Sequence, residues 1–502
     1  MLTDAKKPYA HQVMNPDLDQ ISRQPEGRID VELSDSVTLT CLETVRRVPG
    51  KRIVCRGAWG NQSVYAKLFI GNQAKRYFSR DLHGVQALKQ AGIMTPDLLY
   101  SGQIVDGQGE VLIFAEVIDS VNAERAWEDW LYKPEARFGL AKKLVEEVAQ
   151  HHQAGLLQTD LYLKNFLLQG ERIYTLDGDA VRRISPFFGR HQTLENLTLL
   201  LSKFDVSDDA LWLPELLAIY AKARGLTYAF NFQSVCKSVY AHRRRAASQY
   251  AGEKVFRECS DVHVKKNSRI FLAIARPYLN EKMTYALDEP DSLLDAAHRL
   301  KSGNTCTVSM AEVDGRKVVV KRYNIKNFWH GLSRALRPTR AAVSWSNAHR
   351  LLMYGIATAA PIALLEKRYG IIRRQAYFLA EYIGAPDADE FFADARVTDA
   401  QKSLVAQNIA RMFYKLYLLK IDHGDFKATN MKIVNGQPLL IDLDSMREYR
   451  CNWWYTRRHV RDLLRFMRNW QHDIALWNIL VTSFRKAYND TSPLDKAGIV
   501  IL

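Results

Sequence analysis

The sequence predicts an α+β chain made of two copies of one module in tandem, each a small β-rich part followed by a mainly helical part. Three observations carry this expectation. Six landmarks recur in the same order in both halves, their spacings agree, and the hydrophobic pattern changes from strand-like to helical at the matched place in each half. A length of 502 residues suits more than one domain. The boundaries read from the repeat are an N-terminal extension over 1–27, a first module over 28–255 and a second over 256–502.

The elements follow in chain order. VYAKLF, with Lys67, and VVVKRY, with Lys321, are rich in β-branched and aromatic residues and read as strands. QALKQAGIMTP (86–96) and HRLLMYGIATAAP (349–361) come next. IFAEVI carries Glu116 and FLAEYI carries Glu381, each 44 residues before an aspartate (160 − 116 and 425 − 381). Leu140, Leu144, Val145 and Val148 form one helical stripe; Val405, Ile409, Met412, Phe413 and Leu416 form the other. Each helix leads into D-x-x-x-x-N: Asp160 and Asn165 are 5 apart, as are Asp425 and Asn430. Asp177 and Asp442 each lie 17 residues after the first aspartate. Between them, IVNGQPLLID holds an Asn-Gly pair that predicts a hairpin, and LLQGERIYTL takes its place in the first copy. Helices over 193–250, with Leu194, Leu197, Leu200 and Leu201, complete the first module.

Composition narrows the function. Lys and Arg number 70 against 55 Asp and Glu, a net charge of +15, which suggests an anionic partner. Nucleic acid, an anionic membrane surface, and a phosphorylated sugar or lipid all qualify, and charge does not choose among them. No run of 18 apolar residues occurs, so no transmembrane helix is expected, and the N-terminus lacks the apolar core of a secretory signal. Cys41, Cys55, Cys236, Cys259, Cys306 and Cys451 are scattered without a C-x-x-C pair. Neither a disulfide framework nor a zinc site is therefore expected, and a reducing cytosol fits.

A strand lysine, an Asp-x-x-x-x-Asn loop and a further aspartate after a hairpin form a phosphoryl-transfer set. Lys321 would neutralise the α- and β-phosphates of ATP. Asp425 would orient or accept the proton of the acceptor hydroxyl. Asn430 and Asp442 offer the hard oxygen ligands that Mg²⁺ prefers. Lys427 would balance charge on the moving phosphoryl group, and His423 would hold the loop. Lys67, Asp160, Asn165 and Asp177 are the matching first-copy set, with Glu116 and Glu381 at hinge-like positions beside the nucleotide.

These residues resemble the bacterial lipopolysaccharide-core kinases, the heptose and Kdo kinases related to eukaryotic-type protein kinases. The resemblance rests on residues 318–366, FLAEYI (378–383), HGDFKATN (423–430) and IDLD (441–444), and in the first half on GIMTPDLLYSG (92–102), QTDLYLKNFLL (158–168) and LDGD (176–179). It implies two tandem bilobal protein-kinase-like domains, MgATP, and a sugar hydroxyl of the lipopolysaccharide core or lipid A precursor as acceptor. It also implies work at the cytoplasmic face of the inner membrane, with peripheral contact to anionic lipid.

The copies depart from each other and from the kinase pattern. Gln158 stands where the second copy has His423, and Tyr162 where it has Lys427. Asp179 and Asp444 are paired between copies, as a second metal-facing carboxylate or as a helix N-cap. The glycine-rich loop is degenerate in both, RGAWGNQS and KSGNTCTVS, and no Walker A motif exists. Asp81 is the candidate partner of Lys67, whereas no acidic residue falls between Asp314 and Glu366 to partner Lys321.

Three basic stretches remain. Between Lys321 and Gly355 the second copy has about nine extra residues, with Phe328, Trp329, Leu332 and Leu336 at helical spacing. They suit a solvated helix packed on the sheet, a bilayer contact or a clamp on a phosphorylated substrate. Arg447, Arg450, Arg457, Arg458, Arg461, Arg465 and Arg468, with Trp453, Trp454 and Tyr455, lie where a kinase binds its acceptor, and Arg457 and Arg458 are the candidate acceptor contacts. Arg243, Arg244 and Arg245 read as a solvated helix face or an interdomain contact. Two other function classes stay in view, a small-molecule kinase of the aminoglycoside or choline type and a tandem pseudokinase scaffold. Nucleic-acid binding has no motif behind it. Oligomeric state is open.

Overall fold

The computed structural model describes residues 17–500 apart from 24–26, 36, 132, 228–229, 296–297, 303–305, 324–337 and 371. It divides into two compact units, Met1–Phe204 with Ala210–Val239, and Asp205–Asp209 with Tyr240–Leu502. The repeat placed the boundary at 255/256. The helix Phe232–Gly252 explains the difference: Ala247 and Ala251 are buried in the core of the second unit together with Val255.

In the first unit a six-stranded antiparallel sheet runs Ile29–Glu32, Thr38–Val48, Arg52–Trp59, Gln62–Ile70, Gly109–Ala115 and Leu98–Ile104. Its alternating pattern buries Val64, Ala66 and Leu68 on one face of the fourth strand, as half-covered antiparallel strands require. Lys67 points the other way, between Val54 and Leu112 on the flanking strands. The helix Ala74–Gln90 covers that face through Val85, beside Phe69 and Leu112. Beyond the sheet, the helices Pro134–Gln153, Gly189–Leu201 and Asp209–Ala223 build a separate core from Leu140, Leu144, Val148, Leu197, Leu200 and Leu216. The predicted stripe of the first of these helices is buried throughout.

The second unit repeats this order. Seven antiparallel strands are arranged as Val262–Lys266, Ile270–Ala275, Pro361–Tyr369, Ile372–Glu381, Arg316–Tyr323, Cys306–Val313 and His298–Ser302. Lys321 again lies in an interior strand, between Val308 and Phe378. The helix Asp399–Leu419 begins with a capping box, in which Thr398 and Gln401 satisfy each other's backbone N–H. It ends at Lys420 in the left-handed region (φ 57°). Its stripe meets the helices Asn452–Met467 and Ile474–Ala487, and Phe413 is enclosed by Phe426, Phe466 and Phe484 at centroid distances of 4.2, 5.2 and 5.3 Å. The Asn435-Gly436 turn forms as the sequence predicts, with both residues at positive φ and Val434 paired to Gln437.

Two sequence expectations change. Cys41 and Cys55 are not isolated thiols: the pairing of Thr38–Val48 with Arg52–Trp59 brings their Cα atoms to 5.7 Å and they form a disulfide. A separation of 14 residues carries no local spacing signal, so only the hairpin register reveals the pair. In the arginine run at 243 only Arg245 is exposed. Arg243 is bonded to Asp209 and Arg244 to Glu448, both inside the second unit. The aromatic stripe Phe328, Trp329, Leu332 and Leu336 lies outside the described residues. Among the described residues no helix is long and apolar enough to cross a membrane.

Phe413 is fully buried and touches three further rings. Phe413→Ala is expected to lower the stability of the second unit by about 3–5 kcal/mol, measured by urea unfolding followed through near-UV circular dichroism. A loss below about 1 kcal/mol would mean that the four-ring cluster does not anchor this core.

Candidate active site

Each unit assembles its chemistry-bearing residues from four places: an interior strand, the helix behind it, the D-x-x-x-x-N loop and the aspartate after the hairpin. The loops close in the same way. Asn165 and Asn430 each donate a side-chain N–H to the carbonyl of the aspartate five residues earlier, at 2.8 Å in both units. Each asparagine carbonyl then accepts the N–H of the residue just before Asp177 or Asp442, at 2.9 and 3.0 Å. Loop and hairpin are thereby tied together, and the asparagine side-chain oxygen is left for a ligand. Gln158 and His423 brace the same junction from behind, on the carbonyls of Asp177 and Ile441 respectively. Gln158 thus does the work of the histidine it replaces. Burial pushes the His423 imidazole below its ordinary pKa, so it serves as a neutral strut.

In the first unit Lys67 Nζ donates to Asp81 Oδ2 at 2.7 Å and lies 3.5 Å from Asp177 Oδ1. Asp81 comes from the helix Ala74–Gln90 and is fully buried, so it is the partner the sequence expected. Burial raises the Asp81 carboxyl, and Lys67 offsets this only in part because Asp177 is close by. Burial acts on Asp177 as well, but Lys67 and Arg52 outweigh it and hold that carboxyl low. The helix can come this close because Gly84 faces Gly178: a methyl group at Gly84 would lie 1.9 Å from the Gly178 carbonyl oxygen.

The second unit solves the same problem differently. Lys321 Nζ donates to Asp442 Oδ1 at 3.0 Å, which supplies the partner the sequence lacked. Burial alone would raise the Asp442 carboxyl; the Lys321 ammonium and its hydrogen bond bring it below its ordinary value. On the covering helix Arg340–Met353, Ser344 bonds Tyr323, and Asn347 donates to the carbonyls of Leu443 and Met446 at 2.9 and 3.0 Å. Helix and loop are therefore joined by hydrogen bonds where the first unit has two glycines in contact. Glu366 is not a partner of Lys321, since Thr339, Arg368 and Arg373 surround it. Asp442 adopts the left-handed region (φ 63°, ψ 57°), whereas Asp177 is extended (φ −112°, ψ 96°). A non-glycine residue held there carries backbone strain of a kind found at functional sites.

Asp179 and Asp444 are not helix N-caps, a position that Asp177 and Asp442 take. Arg80 binds Asp179 and Arg340 binds Asp444, so both carboxylates anchor the loop to the covering helix. Glu116 accepts from Arg56 at 2.8 Å, and Glu381 is exposed at the end of its strand. Around Asp425 stand Lys427, 3.6 Å from Oδ2, and Arg465 from the helix Asn452–Met467. Arg465 was visible only as one arginine among seven; the helix register selects it. Asp462, one turn before, was missed altogether. It accepts the N–H groups of His423 and Gly424 at 2.7 and 3.3 Å, and burial raises its carboxyl to about 7. Around Asp160, Tyr162 replaces the loop lysine and Lys203 lies 3.9 Å over its ring. Arg457 stacks at 3.9 Å on Trp453, and Arg458 is exposed on the same helix, close enough to influence Asp422.

Gly84→Ala is expected to push the covering helix off Gly178 and cost the first unit about 3 kcal/mol. Gly139→Ala, with nothing within 4 Å of the added methyl, should instead stabilise by about 0.5–1 kcal/mol. Urea midpoints of the two variants test this, and equal midpoints would refute the close approach. A second expectation concerns acid. Because the Asp442 carboxyl is lowered below its unfolded value of 3.8, its pair with Lys321 stabilises above about pH 4 and is lost as pH falls through the folded value. Lys321→Met removes the main opposition to burial, so its acid loss of stability should begin at a higher pH than in wild type. Melting temperatures between pH 3 and 7 read this directly, and superimposable acid limbs would rule the pairing out.

Comparison with known proteins follows the same lines. The family described as "Lipopolysaccharide kinase (Kdo/WaaP) family" matches residues 294–488. Among curated proteins there is no match. Solved structures similar to the chain include "WaaP in complex with acyl carrier protein", at 18% identity and TM-score 0.28, covering 43% of this chain and 99% of that one. A rhoptry kinase from Toxoplasma gondii is similar at 12% identity and TM-score 0.29, over 44% of this chain and 85% of that one. The matched residues 294–488 hold Lys321, Asp425, Asn430 and Asp442.

Proposed function

We propose that the second unit transfers the γ-phosphoryl group of ATP to a heptose or Kdo hydroxyl of the lipopolysaccharide inner core, at the cytoplasmic face of the inner membrane. The first unit is read as a tandem copy of the same kinase module. One observation carries the reading most: inside the residues that match the lipopolysaccharide kinase family, Lys321 bonds Asp442 from more than a hundred residues away, while Asn430 bonds Asp425 and the residue just before Asp442.

The residues fit MgATP. Asn430 spends its amide nitrogen on the Asp425 carbonyl and keeps its oxygen, and Asp442 is held as a carboxylate by Lys321. An amide oxygen and a carboxylate are the donors Mg²⁺ takes. Bound MgATP supplies the activated phosphoryl group and screens its charge. The chain does the rest. Lys321 holds a positive charge at the sheet side for phosphate oxygens. Asp425 aligns the acceptor hydroxyl and takes up its proton. Lys427 and Arg465 pair with Asp425 and offset negative charge on the group in transfer. Arg457 and Arg458 contact phosphate or carboxylate groups of the acceptor. Asp462 fixes the backbone beside Asp425 through two N–H groups. In the first unit, Lys67, Asp160, Asn165 and Asp177 take the corresponding roles, with Glu116 and Glu381 beside the nucleotide in their respective units.

The extended Asp177 favours one second reading, that the first unit supports the second rather than turning over itself. Transfer from labelled MgATP to detergent-solubilised lipopolysaccharide core decides between them. Asp425→Asn is expected to reduce transfer at least about 100-fold, the contribution of a lost general base. If Asp160→Asn leaves all products unchanged, the first unit is support; loss of a different product makes it a second kinase. MgATP binding without any transfer to core would overturn the acceptor assignment.

A further inference from the structure

Both units leave two neighbouring aromatic side chains in water at the matched place in the repeat. In the first, Phe187 and Phe188 are 88% and 67% exposed and lead into the helix Gly189–Leu201. In the second, Trp453 and Trp454 are 54% and 58% exposed in the first turn of the helix Asn452–Met467. Phe188 follows Asp177 by 11 residues (188 − 177) and Trp453 follows Asp442 by 11 (453 − 442), although the surrounding letters, ISPFFGR and CNWWYTR, share little.

The charge around both pairs has one sign. Residues 180–190 contain Arg182, Arg183 and Arg190 and no carboxylate. Residues 445–461 contain Arg447, Arg450, Arg457, Arg458 and Arg461 with one carboxylate, Glu448, whose side chain is 4% exposed and held by Arg244 and Arg350. The Trp453 and Trp454 rings meet edge-on at 4.8 Å, and the Arg457 guanidinium lies over Trp453, so rings and cation form one tip.

We propose that each aromatic pair, with its flanking arginines, seats its unit on an anionic lipid bilayer. Aromatic rings settle at the headgroup level of a bilayer, and arginines there meet lipid phosphates. A shaped pocket on a protein partner would discriminate between Phe-Phe and Trp-Trp, whereas the interfacial layer accepts both. The surface rests on the membrane placement proposed above and names the residues that make the contact. It also links that contact to the candidate site. Arg465, which touches Asp425, lies 12 residues beyond Trp453 on one helix, about 18 Å along its axis at 1.5 Å per residue.

The test uses the full chain and co-sedimentation with phosphatidylcholine vesicles, with and without phosphatidylglycerol. Wild type should bind only the anionic vesicles. Phe187→Ser with Phe188→Ser, and Trp453→Ser with Trp454→Ser, should each weaken binding at least about tenfold, and the fourfold variant should abolish it. Circular dichroism should stay unchanged, because all four side chains are exposed. Equal binding by the fourfold variant and wild type overturns the proposal, as does no vesicle binding by wild type. Retention of an acidic protein through these residues without vesicle binding also overturns it, in favour of a protein occupant. Transfer to delipidated core oligosaccharide in solution separates this from the kinase reading. The Phe187→Ser with Phe188→Ser variant should match wild type there, and vesicle binding that needs the aromatics supports the surface even where no transfer occurs.

Discussion

In each unit a lysine from the middle of a sheet meets an aspartate more than a hundred residues later in the chain. The separations are 110 residues for Lys67 and Asp177, and 121 for Lys321 and Asp442. Little solvent reaches either lysine, with side-chain exposures of 13% and 16%. A buried ammonium without a partner is costly enough that the sheet and the post-hairpin loop must stay in register. The rest of each site depends on this tie. It fixes where the D-x-x-x-x-N loop lies, because the asparagine carbonyl is bonded to the residue before the aspartate. It also fixes the covering helix, which contacts the residue just after the aspartate.

The two units satisfy that constraint with different chemistry. The first places a second carboxylate, Asp81, against the lysine and lets the helix approach through Gly84 and Gly178. The lysine is then held on two sides. The second unit has Ser344 bonded to Tyr323 on its covering helix, and it joins helix to loop through Asn347. Lys321 answers to Asp442 alone among the described ion pairs, which leaves more of its charge for an incoming anion. The left-handed backbone of Asp442 belongs to the same difference, since a strained residue persists only where its surroundings hold it. Within the second unit, Lys427 and Arg465 set a cationic surround for Asp425 that Tyr162 and Lys203 reproduce only in part around Asp160.

Much of the site was legible in the sequence because its parts are local. A two-residue Asn-Gly turn, a stripe of period 3.6 and a five-residue Asp-to-Asn spacing each depend on neighbouring positions. Asp462 was not legible. Its role depends on which face of a helix meets the loop, and a lone aspartate among arginines gives no sign of burial. The partner of Lys321 escaped for the opposite reason. No carboxylate stands on the covering helix near Lys321 in sequence, and the lysine instead meets Asp442, the aspartate after the hairpin.

By itself the sequence determined the order of elements and the α+β class, and it singled out the candidate residues of the site. Periodicity, turn chemistry and spacing are properties of the chain before it folds. Tertiary structure alone decided which charges meet. It paired Arg80 and Arg340 with the second carboxylate of each loop, buried Asp81, and joined Cys41 to Cys55. It also left Phe187, Phe188, Trp453 and Trp454 in solvent. These outcomes depend on packing between residues distant in sequence, where burial and register, rather than residue type, set the energy.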